Sequence, residues 1–314
     1  MRIVSLLPSA TEIIASLGLL DSLVGVSHSC DWPPPVSDLP CVTSTAIPKG
    51  VSAAEIDIAV RERHAAGLPL YEVDEARLAA LAPDLIVTQG LCDVCAVTED
   101  QARAACGGLP ARVEILSLAP LSLADVYANI VDLGRATGRT TEARHLVASL
   151  AQRTDRVAGA VRDAGARPRV TLLEWLTPLY TGGHWTPELI ALAGGEDGHG
   201  RVGSPSRHIG WDEVRTWAPE VIVLACCGFD ETRAATESAS LAALPGFADL
   251  PAVRQGRVWA VDGVGHFSRP GPRLVDSLEW LASVLHPSLV PATGIPALHL
   301  DRFSGVGDMA TTLA

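Results

Sequence analysis

The chain has 314 residues, 48% of them hydrophobic, which is enough for about two domains with apolar cores. Its formal net charge of −12, without any dense run of Lys and Arg, excludes a typical nucleic-acid-binding protein. No run of about 18 apolar residues occurs, so membrane insertion is not expected. The first residues lack the pattern of a secretory signal, and seven cysteines, an odd number, fit free thiols in a reducing compartment. We therefore expect a cytoplasmic protein.

Short apolar runs alternate with helical segments through the first half of the chain. Strands are predicted at residues 2–7, 24–26, 85–88 and 113–117. The sequence Ser9-Ala10-Thr11-Glu12 matches a capping box, so a helix is expected to begin there and to end at Gly18. This alternation predicts a mainly parallel sheet with helices on both faces.

The second half of the chain repeats this pattern after two helical segments. Helices are predicted at residues 122–137 and 141–164, and the second would span roughly 35 Å. Further strands are predicted at residues 169–173, 221–224 and 257–261. Thr186 is expected to cap a helix that begins at Pro187, and Arg273 to begin the last helix.

These elements predict an α/β fold of two Rossmann-like lobes. Each lobe would have a mainly parallel sheet, a single long helix would join the lobes, and a ligand cleft would lie between them. The expected boundaries are 1–139 for the N-terminal lobe, 140–166 for the linking helix, 167–290 for the C-terminal lobe and 291–314 for a tail that is loop or disordered.

Trp, His and Cys concentrate in the segments that follow the predicted strands. Ligands bind open parallel sheets outside the carboxyl ends of their strands, so these segments are the candidate site. Those of the first half carry His28, Cys30, Trp32, Gln89, Cys92 and Cys95. Those of the second half carry Trp175, His184, Trp185, Cys227, Phe267 and Arg269. The tryptophans either pack in a core or offer aromatic faces to a bulky ligand.

The cysteines allow three interpretations. Cys92-x-x-Cys95 has the spacing of a zinc site but lacks a second pair, and burial as small apolar side chains is the default. With Cys30 and Cys227, and with histidines from among His28, His184 and His266, these residues could instead supply soft ligands to a transition-metal ion. In the third interpretation Cys92 or Cys95 is the nucleophile or redox centre of an enzyme. No phosphate-binding loop, dinucleotide-binding turn or nucleophile elbow occurs, so we expect a binding protein and not an enzyme.

Four sequence segments make the chain similar to a known family. They are IVSLLPSATE at residues 3–12, VGVS at 24–27 followed by DWPP at 31–34, LAPDLI at 81–86, and FSR at 267–269 followed by PR at 272–273. Together they resemble the helix-linked, class III periplasmic binding proteins of ABC importers, and within them the branch that binds vitamin B12. The similarity covers residues 1–287.

This resemblance implies two lobes on a stiff helix with the ligand between them. Trp32 matches an aromatic residue of the B12 branch, residues 182–185 lie near a second contact loop, and Phe267 and Arg269 match a third. The chain departs from the family in lacking a recognisable signal peptide.

The resemblance also implies docking to an ABC permease through a surface glutamate on each lobe. In the first lobe the matching position is Ala76, beside Glu75. In the second lobe Asp212 or Glu213 could serve.

From these observations we expect the ligand to be cobalamin or a related corrinoid or metal-bearing cofactor. Trp32, Trp185 and Phe267 would supply aromatic faces, and Arg269 would bind a polar or anionic edge. Either His28 or His184 would approach the metal axially. Gln89 and Trp175 complete the predicted contacts. The alternatives are a metal-ion-binding protein with a Cys/His cluster and a cysteine-dependent cytosolic enzyme.

Overall fold

The computed structural model describes residues 1–90, 97–107 and 113–300, together with the backbone of residues 311 and 312. The chain divides into two compact units. The first consists of Met1–Val51, Glu55–Pro120 and Ala124–Ser149, and the second of Ser52–Ala54, Leu121–Leu123 and Leu150–Ala314. Within the described part of the chain, no helix combines the length and the apolar character that crossing a membrane requires.

The first unit contains the strands and helices of the N-terminal half. Its strands are β1 (Ile3–Ser5), β2 (Leu23–Val26), β3 (Thr43–Thr45), β4 (Tyr71–Val73), β5 (Leu85–Gln89) and β6 (Glu114–Leu118). The helices are α1 (Pro8–Ser16), α2 (Ala53–Ala65), α3 (Glu75–Leu81), α4 (Glu99–Ala105), α5 (Leu123–Ala136) and α6 (Thr140–Val161). The division between the units crosses α2, α5 and α6.

The main sheet of the first unit is parallel, with the order β2-β1-β5-β6. Every residue of β1 and β5 is buried, because helices cover both faces of the sheet, and such strands appear in the sequence as continuous apolar runs. A separate antiparallel pair, β3 and β4, lies beside this sheet. The carboxyl ends of the parallel strands form one edge, where the polar and aromatic residues of the loops begin.

The second unit contains the remaining elements. Its strands are β7 (Arg169–Leu176), β8 (Leu179–Thr181), β9 (Glu196–Asp197), β10 (Val221–Leu224), β11 (Val258–Val261), β12 (Ala297–His299) and β13 (Thr311–Thr312). The helices are α7 (Thr186–Leu192), α8 (Trp211–Trp217), α9 (Glu231–Glu237), α10 (Ala239–Ala242), α11 (Pro251–Arg254) and α12 (Leu274–Leu285). A π-helical turn, Gly263–Phe267, follows β11.

The parallel part of the second sheet repeats the topology of the first. Its order is β9-β7-β10-β11, which corresponds strand by strand to β2-β1-β5-β6. The predicted α/β fold with parallel sheets in two similar halves is therefore confirmed. The second sheet differs from the first by antiparallel additions, since β8 pairs with β7 and β12 pairs with β11.

Arg153 fastens α6 to α12 in the second unit. Its guanidinium donates to both carboxylate oxygens of Glu279 at 2.9 and 2.6 Å and to Asp276 at 2.5 Å. All three side chains are at most one-third exposed. A bidentate arginine–carboxylate contact orients both side chains as well as attracting them. It therefore fixes the C-terminal part of α6 against α12.

Three details of the sequence prediction are wrong. The first helix begins at Pro8 and not at a Ser9–Glu12 capping box, because proline is well suited to a first helical position and Thr11 and Glu12 are buried inside the helix. Thr186 is the first residue of α7 and not its cap. The tail is not all loop, since β12 pairs with β11 in antiparallel register.

Candidate ligand-binding site

His28 follows β2 in the first unit and is fixed through its own side chain. The backbone N–H of His28 donates to Thr43 Oγ1 at 2.9 Å, and Nδ1 lies 2.7 Å from the same oxygen. The ring stacks on Tyr71 with centroids 5.4 Å apart and an interplanar angle of 29°. Burial, with a smaller contribution from the positive charge of Lys49, lowers the pKa of His28. The imidazole is therefore neutral at pH 7 and anchored on one side.

Trp32 presents the largest exposed aromatic side chain of the first unit's loops. It is 45% exposed, which is unusual for a tryptophan, because this side chain is usually well covered in a folded protein. Gln89 lies at the carboxyl end of β5 but is only 5% exposed. The structure thus places Trp32 at the surface of the loop after β2 and buries Gln89 at the carboxyl end of β5.

The Cys30 thiol lies in a closed cluster of hydroxyl groups. Thr11 Oγ1 donates to Sγ at 3.1 Å, and the hydroxyl of Ser27 lies 3.2 Å from the same sulfur. The Thr11 hydroxyl also lies 2.9 Å from Ser5 Oγ, to which it can donate its single proton instead. Because Cys30 is 8% exposed and already engaged by these hydroxyls, its contacts are those of a structural side chain.

His184 follows β8 in the second unit and is held by its backbone alone. Its φ is +52°, in the left-handed region that non-glycine residues rarely adopt. The His184 N–H donates to Ser204 O at 2.7 Å, and its carbonyl accepts from Gly203 N at 3.0 Å. The ring lies against Trp185 with centroids 5.5 Å apart. Among the residues that the structure describes, neither ring nitrogen has a hydrogen-bond partner.

The charge state of His184 follows from its surroundings. The side chain is partly exposed, and burial lowers its pKa below the ordinary histidine value. At pH 7 the ring is therefore a neutral imidazole with an available lone pair, which is the form that coordinates transition metals.

Glu174, at the carboxyl end of β7, organises the segment that contains His184. Its Oε1 accepts from Gly183 N at 3.1 Å and from Thr186 Oγ1 at 3.3 Å, and its Oε2 accepts from the Ser206 hydroxyl. Burial raises the pKa of Glu174, although these hydrogen bonds oppose the shift. Sequence order does not reveal these contacts of Glu174, because the residues that it binds are 9–32 positions away.

Trp185 and Phe267 form a buried contact beneath the same surface. The indole Nε1 of Trp185 donates to Phe267 O at 2.9 Å, and the two side chains are 6% and 1% exposed. Phe267 also packs edge-on against Trp280. In this structure neither ring offers an open face, so both support the loops, and their direct contact with a ligand stays a prediction.

Trp175 and Arg269 complete the predicted contacts of the second unit. Trp175 is partly exposed, donates from Nε1 to Thr177 O at 3.1 Å and lies against Phe229 with ring centroids 5.0 Å apart. Arg269 is 3% exposed, so its guanidinium is enclosed by the protein. Its predicted role at an anionic edge of a ligand stays a prediction.

Asp262 and His266 form a pair at the π-helical turn. The sequence prediction named His266 as a possible metal ligand but did not pair it with Asp262. Asp262 accepts from Gly265 N at 2.8 Å, and its second oxygen lies 3.3 Å from His266 Nδ1. Burial acts to raise the pKa of Asp262, but the hydrogen bonds from His266 and Gly265 outweigh it and the pKa is lowered. The spacing of four residues in one turn is the sequence signal that could have revealed this pair.

The thiol groups of the second unit differ sharply. Cys226 is fully buried, and burial raises the pKa of its thiol, so it stays protonated. Cys227 is exposed, and its backbone N–H donates to Glu174 O at 2.9 Å. Cys92 and Cys95 lie outside the described residues. Within the described ranges, no group of three or more His, Cys, Asp or Glu side chains could hold a metal ion.

The acidic residues considered for permease docking lie on two exposed helix starts. Glu75 begins α3, and Asp212 and Glu213 lie in the first turn of α8. Asp212 pairs with Arg215 at 3.0 Å and Glu213 with Arg207 at 2.8 Å. The hydrogen bond from Arg207 and a second from Gly210 lower the pKa of Glu213 to about 2, so it is charged at neutral pH.

Comparisons with known proteins agree with this architecture. The family model "Periplasmic binding protein" matches residues 3–264. The chain is 24% identical over 292 residues to the vitamin B12-binding protein of Yersinia pestis (strain Pestoides F), covering 89% of this chain and 84% of that protein.

Two solved structures share the fold. The periplasmic vitamin B12-binding protein of Vibrio cholerae has a TM-score of 0.65 and 23% identity, covering 90% of this chain and 96% of that one. A periplasmic heme-binding protein of Pseudomonas aeruginosa has a TM-score of 0.70 and 23% identity, covering 100% and 99%. Family and structural relatives are substrate-binding proteins and not enzymes, as the sequence prediction expected. This chain belongs to the periplasmic binding protein family.

Proposed function

We propose that the chain binds a large, metal-bearing small molecule, and that the ligand is cobalamin or a related corrinoid. Relatives and structural neighbours named for vitamin B12 and heme support the broader class. The relatives are also named as periplasmic proteins, so the cytoplasmic location expected from the sequence stays a prediction.

The observation that carries the proposal is the state of His184. Its imidazole is neutral, partly exposed and without a hydrogen-bond partner among the described residues. A left-handed backbone at a non-glycine residue costs on the order of 1–3 kcal/mol, and such conformations cluster at binding sites. Axial coordination of a cobalt or iron centre would use the free nitrogen, and this bond would offset the strain.

The first unit supplies a different kind of contact in this proposal. Trp32 offers an exposed ring face of the type that holds flat or bulky ligands. His28 has one nitrogen, Nδ1, bound to Thr43, and its backbone does not adopt the left-handed conformation of His184. Trp32 would therefore contribute apolar contact and His184 the metal bond.

Heme is the second candidate, because a neutral imidazole is also an axial ligand of heme iron and one structural neighbour is a heme-binding protein. The two candidates differ in the size and charge of the ligand. Cobalamin carries amide side chains and a nucleotide, whereas heme carries two carboxylates.

An absorption titration with two cobalamins tests the proposal. Hydroxocobalamin has an exchangeable axial ligand, whereas the axial cyanide of cyanocobalamin exchanges poorly. We expect a saturable band shift with hydroxocobalamin at one equivalent and binding of cyanocobalamin without a shift. The His184→Ala variant should bind both without a shift and bind hydroxocobalamin about tenfold more weakly, which corresponds to about 1.4 kcal/mol.

A parallel titration with hemin separates the two ligand classes. Tighter binding of hemin than of either cobalamin would replace the corrinoid by a porphyrin. Binding of none of the three would contradict the proposal.

A further inference from the structure

The segment that holds His184 is tied together at one carboxylate. Two bonds to Glu174 Oε1 come from Gly183 and Thr186, which flank His184 and Trp185 on either side. The bond to Oε2 comes from Ser206, which belongs to the loop that binds the His184 backbone through Gly203 and Ser204. Glu174 therefore joins both segments that determine the position of His184.

The two glycines beside His184 make this arrangement possible. A Cβ on Gly183 would overlap the backbone of Ser206, and a Cβ on Gly182 would lie 2.5 Å from Thr186 Cγ2. Neither glycine has a φ in the left-handed region; His184 does. The glycines thus allow a close approach of two chain segments, and the strained conformation is left to the histidine.

Burying a carboxylate costs free energy unless hydrogen-bond donors compensate for the loss of water. Burial of Glu174 opposes its charged form, and the nearby charge of Asp197 adds to this effect. All three of its partners are donors, so acceptor oxygens are the groups that this position needs. A side chain that only filled space there would leave the Gly183 N–H without its acceptor.

We infer that Glu174 is the positioning residue for His184. It holds the His184 backbone in its left-handed conformation, so that a nitrogen of the imidazole ring is directed to the metal of the ligand. This inference rests on the proposed function, since it assumes that His184 coordinates. Glu174 does not contact the ligand in this account. It acts through Gly183, Thr186 and Ser206, as groups behind a metal ligand commonly do.

Two substitutions of Glu174 separate positioning from simple structural support. In Glu174→Gln the remaining carbonyl oxygen can accept from Gly183 and Thr186, and the new amide can donate to Ser206, whose hydroxyl then accepts. In Glu174→Ala all three bonds are lost. We expect Glu174→Ala to lose the hydroxocobalamin band shift and about tenfold in affinity for that ligand, while its affinity for cyanocobalamin stays unchanged. Glu174→Gln should keep the hydroxocobalamin band shift and the affinity for hydroxocobalamin.

A matched control is Glu188→Ala, on the helix that follows. The Glu188 carboxylate accepts from Leu123 N at 2.8 Å, and within the described part of the chain it makes no hydrogen bond to the His184 segment. This variant should bind both cobalamins as the unchanged protein does.

The outcomes distinguish the inference from the proposed function. If His184→Ala loses the shift while Glu174→Ala keeps it, the positioning role is wrong and the proposed function stands. If His184→Ala keeps the shift, His184 is not the axial ligand and the inference about Glu174 is wrong, whereas failure of the unchanged protein to bind either cobalamin or hemin would contradict the proposed function. A Glu174→Ala protein that does not fold is replaced by Ser206→Ala, which removes one bond; an unchanged spectrum and affinity in that variant would overturn the inference.

Discussion

Each unit carries a histidine in a loop that follows a strand of its sheet, His28 after β2 and His184 after β8, but the two side chains are held in different ways. His28 is anchored by its own Nδ1 on Thr43 and by stacking on Tyr71. His184 is anchored by its backbone, with φ at +52°, and its ring nitrogens have no partner among the described residues. Thr43 therefore occupies one nitrogen of the His28 ring and leaves Nε2, whereas both ring nitrogens of His184 are without a hydrogen-bond partner among the described residues.

The largest effect should come from closing the space behind His184. Gly183→Ala would push a methyl group into the Ser206 backbone, which cannot move aside as a flexible side chain would. We expect a loss of about 2–3 kcal/mol in the free energy of unfolding, measured by urea denaturation, and loss of the hydroxocobalamin band shift.

Gly159→Ala is the matched control for this change. Gly159 lies in α6 with nothing within 4 Å of an added Cβ, so this substitution should stabilise the helix by about 0.5–1 kcal/mol and leave the shift intact. A Gly183→Ala protein as stable as the Gly159→Ala protein would refute the close packing behind His184.

Between pH 7 and pH 5, protonation of histidines should weaken the second unit through two residues and the first unit through one. Burial lowers the pKa of His28 in the first unit and of both His184 and His199 in the second. A histidine whose folded pKa lies below its unfolded value of about 6.5 stabilises the fold above that pH, and this contribution is lost as the pH falls further. Each such group steepens the decline by up to about 1.4 kcal/mol per pH unit, because the unfolded chain binds one more proton.

The substitution His199→Phe tests this asymmetry. His199 is 8% exposed and packs edge-on against Trp217, so a phenylalanine can take its place without a titrating group. The variant should show a shallower loss of stability between pH 7 and pH 5 in chemical denaturation. An unchanged slope would mean that His199 contributes no proton uptake on unfolding.

Trp32 should matter for the ligand and not for the fold. Because its side chain is 45% exposed, Trp32→Ala should leave the melting temperature nearly unchanged, while cobalamin affinity measured by calorimetry falls about tenfold. Leu68→Ala, which truncates another exposed apolar side chain of the same unit at 52% exposure, should change neither. Equal affinities in these two variants would remove Trp32 from the site.

The smallest effect is expected at His28. His28→Ala removes the Thr43 contact and the stacking on Tyr71, so it should cost about 1 kcal/mol of stability. The hydroxocobalamin band shift should persist, because His184 is unaltered. Loss of the shift in this variant would reverse the roles of the two histidines.

Much of the fold was predictable because it depends on local patterns. Short apolar runs marked seven of the parallel strands, and the repeated order of elements indicated two similar units; the seven are β1, β2, β5, β6, β7, β10 and β11. Strands β8 and β12 were missed because each has only three residues, which is too short to show an alternating pattern of apolar and polar residues. Both join the sheet as antiparallel strands.

The site was predictable in its location but less so in its roles. The positions of His184 and Trp32 after strands follow from sequence order. The burial of Trp185 does not, because it depends on a hydrogen bond to Phe267, which is 82 residues away. The left-handed conformation of His184 was equally hidden, since the adjacent Gly182 and Gly183 are the residues expected to adopt it.

The most direct test of the central claim is the electron paramagnetic resonance spectrum of cobalt(II) cobinamide bound to the protein. Cobinamide lacks the nucleotide base, so any axial nitrogen must come from the protein. If His184 is the axial ligand, we expect one nitrogen to split the cobalt lines into triplets. These triplets should become doublets when histidine is labelled with nitrogen-15. The splitting should remain in His28→Ala and disappear in His184→Ala. A bound spectrum without nitrogen splitting, or splitting that survives in His184→Ala, would contradict the assignment of His184 as the axial ligand.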